Sequence, residues 1–265
     1  MQPGSVFAKT LWESRRGIVG WAVGIAIIGV VYAAFYPLVQ GPEYMQALEA
    51  WPEELRQAIG FTDVATAAGY LGASTFGLLS PALVIIYGGL LGSRAIAGDE
   101  EAGRLDLLLA HPIGRIRVLL ERFAALGIAM ALASAVQFAA LVAVSGPAQL
   151  DSIGPVNLAA ASIHLAVFGT FFGALALGVG AATGRRSTAL GVLAVVAVGG
   201  YIANALAPLV SGLDWVTGLS PFHYYSSARP LVNGLALGDL GVLLVVAGAV
   251  LVVGAAIFDR RDVAV

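Results

Sequence analysis

The chain has 265 residues, of which 59% are hydrophobic and only 11% charged, with a mean hydropathy of +0.89. Soluble domains carry roughly a quarter charged residues, so a water-soluble fold is excluded and most of the length goes into membrane spans. A formal net charge of −2 gives nucleic acid no electrostatic footing, and the lack of cysteine removes disulfides, thiolate metal sites and a cysteine nucleophile.

Several apolar runs reach the roughly 20 residues that cross a hydrocarbon core as a helix, and no short alternating segments suggest a barrel. The expected fold is all-α and polytopic, one transmembrane domain over 1–265. Residues 5–16 come first, with Val6, Phe7 and Leu11 at helical spacing among Lys9, Glu13 and Arg16. That pattern predicts a short amphipathic helix in the membrane interface. Six spans follow, at about 18–39, 71–96, 118–144, 158–183, 188–210 and 240–258, with a kink expected at Pro81. The first apolar run is too long for a cleavable signal peptide. Residues 43–59 read as an amphipathic segment interrupted at Pro52, a residue suited to opening a second short helix. Leu48, Trp51, Leu55 and Ile59 can share its apolar face, as a lid or a plain linker. Residues 211–238 are too polar to span and predict a short re-entrant or interfacial element.

The basic residues orient the spans. Lys9, Arg15, Arg16, Arg94, Arg104, Arg115, Arg117, Arg122, Arg185, Arg186, Arg260 and Arg261 fall on one side; Arg56 and Arg229 fall on the other, a split of 12 against 2 among the 14 basic residues. The positive-inside rule makes both termini and the 98–115 loop cytoplasmic. The outer side is acidic, with Glu43, Glu49, Glu53, Glu54 and Asp63.

Much chemistry is missing. The single lysine, Lys9, follows Ala8, so a GxxxxGK[ST] nucleotide loop is impossible. His111, His164 and His223 lie on separate segments without ligand spacing, which leaves no metal site. Ser74 and His164 near the outer ends of two spans permit an alternative, an intramembrane serine hydrolase. An ATP-independent secondary carrier is another, but no ionisable residue sits central to a span. Gln137 and Asn204 are the strongest buried polar candidates, suited to interhelical hydrogen bonds. Glycine pairs at four-residue spacing (Gly20/Gly24, Gly88/Gly92, Gly169/Gly173, Gly180/Gly184) permit close helix packing.

The densest charge lies between the second and third spans, in GDEEAGRLDLLLAHPIGRIRVLLER over 98–122. Leu105, Leu108 and Leu109 fall at i, i+3, i+4 and predict a two-turn amphipathic helix, with Asp99, Glu100 and Glu101 near its positive N-terminal end and Pro112 stopping it. The residue pattern alone fits a docking helix and a solvated connector equally well.

The stretch 100–115, EEAGRLDLLLAHPIGR, resembles the loop signature of ABC-2-type transporter permeases: an acidic pair, Gly-Thr-Leu-Glu, a leucine run, a small residue, a proline and Ser-Arg. Arg104 stands where threonine is usual and Gly114 where serine is usual. Ser220-Pro221-Phe222 with Tyr224-Tyr225, then Pro230 and Gly234, is also similar to the family before its last span. The resemblance implies a non-catalytic permease subunit of an ABC exporter in a prokaryotic cell membrane. Its implied partners are two copies of a cytoplasmic ATPase, which bind ATP and Mg, and a second permease, as a homodimer meeting through spans one and five. The implied ATPase-coupling residues are Glu100, Glu101, Gly103, Arg104, Leu105, Leu108, Leu109, Pro112 and Arg115. Leucines are expected to make the buried contact and charges to set its register. The implied role needs no cofactor or metal in this chain.

The topology is directly testable. Single cysteines placed at Glu53 and at Arg117 should react with a membrane-impermeant maleimide from opposite faces; labelling of both from one face would overturn the arrangement.

Overall fold

The computed structural model describes residues 5–41, 46–47, 50–58, 63–110 and 113–261. Six helices are long and apolar enough to cross a membrane: Val6–Val39, Ala67–Glu101, Arg115–Val144, Pro155–Thr183, Arg186–Leu209 and Leu237–Arg260. They are called span one to span six below. No strand occurs among the described residues. Both described ends and the described part of the 98–115 loop lie on one side of the bundle, the terminal side; the described residues of 46–66 and the 210–236 segment lie on the distal side.

Span one differs from its expected form. The amphipathic 5–16 segment is helical, but it runs without a break into the first span, giving one helix of 34 residues, Val6–Val39. At 1.5 Å per residue that is about 51 Å, well beyond a hydrocarbon core of about 30 Å. Nothing in the sequence breaks the helix between Arg16 and Ile18, since the only residue there is Gly17 and its surroundings are open. Ser5 caps the start by accepting from the Ala8 amide.

Span two is the least regular. Two π-helical segments, Thr75–Leu79 and Arg94–Gly98, flank a regular α-helix over Ser80–Ser93. Pro81 explains the first: its ring lacks an N–H and clashes with the carbonyl four residues back, and a widened turn relieves both problems. The helix also continues past the expected end at Ile96 to Glu101.

Span four is the hub. Most of its residues are buried, and it packs against spans two, three, five and six. A helix apolar on all sides belongs in such a position. Aromatic contacts lock its distal half: Phe168 meets Phe172 and Phe222 edge-on and stacks on Tyr225, at centroid distances of 4.5–5.0 Å. Glycines set the contact between spans two and four. A Cβ on Gly88 would stand 2.6 Å from the Gly169 carbonyl oxygen and 3.1 Å from the Gly173 nitrogen. Gly180/Gly184 is not a pair of that kind, because Gly184 ends span four in the left-handed conformation, at φ 69°. Gly20 and Gly24 face open space.

Gln137 of span three donates from Nε2 to Ser80 Oγ of span two at 2.6 Å, the interhelical bond expected of it. Span five stands at the edge, with only Ala189 and Leu193 buried within Arg186–Leu206. On the distal side Glu53–Ala58 is a short helix directly after Pro52, while Trp51 and Leu55 are exposed. Glu43, Leu48, Glu49 and Ile59 lie outside the described residues. Asp214–Leu219, Pro221–Ser226 and Pro230–Asn233 form short helical turns before span six.

The glycine contact predicts a sharp contrast. Gly88→Ala should overpack the span two–span four seam and destabilise by about 1–3 kcal/mol. Gly248→Ala, where a Cβ meets nothing within 4 Å, should stay within about 0.5 kcal/mol. Thermal unfolding of the purified variants in detergent reads both; equal midpoints would refute the seam's role.

Candidate functional site: the charged loop and its anchors

The loop begins where span two ends. Gly103 adopts φ 63°, the Arg104 amide donates to the Asp99 carbonyl at 2.8 Å, and the Gly103 amide donates to the Glu100 carbonyl at 2.9 Å. This is a Schellman closure, in which a left-handed glycine satisfies the last helical carbonyls. Asp99, Glu100 and Glu101 therefore belong to the end of span two, not to the start of the loop helix as the charge pattern suggested. The loop helix is shorter than two turns, at Leu105–Leu109.

Each acid of the trio reaches a different part of the bundle. Asp99 bridges two arginines: Oδ1 accepts from Arg104 Nη2 at 2.8 Å, and Oδ2 from Arg122 Nη2 of span three. Glu100, with its side chain 5% exposed, takes both terminal nitrogens of Arg261 at the end of span six. Such a fork on a carboxylate is the strong form of ion pair. Glu101 Oε1 accepts from the Arg186 amide at 2.8 Å, in the first turn of span five, where the helix dipole favours an anion. Arg115 completes the ring by donating from Nη1 to the Phe258 and Arg261 carbonyls, at 2.9 and 2.6 Å. Those carbonyls close span six, and helix ends need such partners.

A second anchor lies beside the first. Glu121 of span three accepts from Arg117 Nε through one oxygen and from the Phe7 amide through the other, both at 2.8 Å. It thereby caps the first turn of span one from another helix.

The leucines divide between two environments. Leu105 is fully buried in the chain's own core, so it is unavailable to a partner, contrary to the expectation from spacing. Leu108 also packs inward against that core. Leu107, between them, is 71% exposed and stands beside exposed Asp106. The i, i+3 spacing puts Leu105 and Leu108 on one face, as found, but that face turns to the chain's own core, and a short turn rooted there aims its other side at solvent. Gly103 and Arg104 are exposed and Arg115 half-buried. His111 and Pro112 lie outside the described residues, as does the side chain of Leu109.

Sequence reasoning missed the partners of the acids. Arg122, Arg186, Arg261 and the Phe7 amide are 23 to 161 positions, or a whole helix, away from the groups they bind, and no local spacing encodes such pairs.

The hydrolase alternative fails on geometry. Ser74 Oγ donates to the Tyr70 carbonyl at 2.6 Å, a back-bond along its own helix. His164 Nε2 accepts from the Ala236 amide at 3.2 Å, which leaves Nδ1 to donate to the Tyr225 carbonyl at 3.1 Å. Both imidazole nitrogens are committed to backbone, so neither can serve as base to Ser74. The histidine is a structural pin between span four and the turns before span six. Tyr225 in those turns donates to the Phe76 carbonyl at 2.8 Å, beside the first π-helical segment of span two. Burial raises its phenol pKa and keeps it a neutral donor. Among the described residues no cluster of metal-ligating side chains occurs.

Comparison with known proteins agrees with this architecture. The model of the ABC-2 family transporter protein family matches residues 5–263. A probable ABC transporter permease protein NosY of Pseudomonas aeruginosa is 29% identical over 245 residues, covering 77% of this chain and 84% of that relative. A probable ABC transporter permease protein NosY of Stutzerimonas stutzeri is 40% identical over a local stretch of 81 residues, 30% of this chain and 27% of the relative.

The ion pairs differ in predicted weight. Glu100→Ala deprives the half-buried Arg261 guanidinium of its fork, and losing hydrogen bonds to a charged group costs about 1.5–3 kcal/mol. Arg104→Ala removes a side chain that is 65% exposed and should cost less than about 1 kcal/mol. Denaturation of the two variants in detergent measures the difference; similar losses would show that Glu100 anchors nothing.

Proposed function

Because the chain belongs to the ABC-2 family of transporter proteins, we propose that it is the permease subunit of an ATP-driven ABC exporter, with the terminal side cytoplasmic and the 99–115 loop as its coupling element. ATP and Mg belong to a separate ATPase, two copies of which seat on two permeases. Substrate moves outward. The arginine asymmetry supports the orientation, because 12 of the 14 basic residues fall on the terminal side.

The observation that carries the coupling reading is the anchoring of the loop. Asp99 and Glu101 hold its base to spans three and five, and Glu100 and Arg115 hold it to span six. A push on the loop therefore reaches four spans through short, charge-assisted bonds rather than dissipating in a flexible connector. Exposed Leu107 and Asp106 supply the outward surface, an apolar anchor beside a charge, the pattern a helix offers to a groove.

A second copy of the permease fits the edge of the bundle. Span five presents a row of exposed Val195, Val198, Ile202 and Leu206, and span one leaves Gly20 and Gly24 open. Small residues at such a face let two backbones approach closely. A homodimer through spans one and five is the arrangement we favour.

The docking contact is tested at Leu107. Burying a leucine is worth roughly 1.5–3 kcal/mol, and a carboxylate in its place adds a desolvation cost. Leu107→Asp should therefore weaken association with the cognate ATPase by about 100-fold or more, since each 1.4 kcal/mol is about tenfold. Thermal stability of the permease should hold, because the side chain is exposed. Leu105→Asp should lower stability itself, and so cannot report docking. Titration of the ATPase onto the purified permease reads the affinity; undiminished binding of Leu107→Asp would remove the loop helix from the interface.

A further inference from the structure

A cavity of about 190 Å³ opens between spans one, two and three on the terminal side. Its polar wall holds Arg94, Arg122, Thr10 and Ser14; its apolar wall includes Ile18 and Leu91. We propose that this cavity binds the phosphate of an anionic phospholipid from the leaflet on the terminal side, with Arg94 and Arg122 as its ligands. The inference does not depend on the coupling reading, only on the chain lying in a bilayer.

Four observations carry it. The first is charge. Asp99 and Glu13 also line the cavity, but Asp99 is shared between Arg104 and Arg122, and Glu13 stands 3.9 Å from Lys9. Arg94 makes no ion pair with a described residue, so one cation is left over at the wall.

The second is burial. The Arg122 side chain is only 10% exposed, and its Nε has no hydrogen-bond partner although it is shielded. A buried guanidinium N–H without an acceptor costs free energy, which leaves Arg122 short of one acceptor beside this wall. Arginine forks match phosphate oxygens in geometry as well as charge.

The third is depth. Val144 ends span three 22 residues beyond Arg122, a rise of about 33 Å, close to the hydrocarbon thickness. Arg122 therefore sits at headgroup level. Basic pockets between transmembrane helices at that level suit anionic headgroups. The fourth is shape. A cavity several times the roughly 30 Å³ share of one water has room for a phosphate group but not for acyl chains. The apolar wall of Ile18 and Leu91 suits the first methylenes of a lipid, a surface that free phosphate would not use.

A π-helical segment starts at Arg94, on this wall. Such bulges re-aim single residues and recur at functional sites. A headgroup held there would brace spans one, two and three directly beneath the Asp99 anchor.

The full-length chain, purified in its native assembly, is examined by native mass spectrometry after exchange into phosphatidylglycerol or phosphatidylcholine, with inorganic phosphate as a third arm. Wild type and Arg185→Gln, an exposed arginine on the same side, should retain phosphatidylglycerol in preference to phosphatidylcholine. Arg94→Gln should bind it about tenfold more weakly, as expected when a charge-assisted bond becomes a neutral one. Arg94→Lys should restore part of the difference, because it returns the charge without the fork. Equal retention by wild type and Arg94→Gln would overturn the site. Equal retention of the two lipids would overturn its preference for an anion, and displacement of lipid by millimolar phosphate would identify a soluble ligand and overturn the lipid assignment.

Discussion

The bond between Glu100 and Arg261 is the constraint on which the terminal side of the molecule depends. A carboxylate with its side chain 5% exposed is tolerable only with a full complement of donors, and Arg261 supplies both terminal nitrogens. That demand fixes where span two ends relative to span six. Once the two ends are joined, Arg115 can reach the last carbonyls of span six, Glu101 can meet the first turn of span five, and Asp99 can take Arg122. Remove the pair and the guanidinium must find water. The loop would then lose its tie to the last span.

Span two connects this anchored end to the rest of the protein in an unusual way. Its middle is pressed against span four at glycines, where no side chain intervenes between the backbones. The segments that flank this middle are π-helical, a widened turn that interrupts the regular ladder on either side. A close-packed middle between two such turns suits a helix that shifts as a body against its neighbour. The small residues at the seam favour sliding along the axis over separation, because any gap would forfeit dispersion contacts along its whole length.

Much of this was legible in the sequence, for identifiable reasons. The six spans follow from hydropathy, since a helix in lipid must satisfy its own backbone and needs about 20 apolar residues to do so. Gln137 was recognisable because an amide in hydrocarbon must find a partner, and Ser80 supplies it. The continuity of span one was not legible, because amphipathic character at 5–16 and full hydrophobicity afterwards describe two environments and not two helices. The direction of the Leu105 and Leu108 face was not legible for a related reason: spacing groups the two leucines, but what a five-residue helix packs against is chosen by what the neighbouring spans offer. The acids at 99–101 look like solvated charge in one dimension, and only the arrival of Arg122, Arg186 and Arg261 from distant positions turns them into anchors.

The distal end of span two repeats the arrangement of the terminal end. There too a π-helical segment stands beside a cavity, this one about 320 Å³, lined by Phe76, Tyr225 and Leu231 and edged by the Asp63–Arg229 ion pair. The Tyr225 hydroxyl holds the Phe76 carbonyl, one of the groups that a widened turn leaves in need of a donor. His164 in turn holds the Tyr225 carbonyl from span four. A displacement of span two along the glycine seam would thus be felt at the distal cavity through a short chain, from Phe76 to Tyr225 to His164. On the coupling reading proposed above, this chain of hydrogen bonds gives the loop a mechanical route to the far side of the membrane, carried by backbone carbonyls held from Tyr225 and His164.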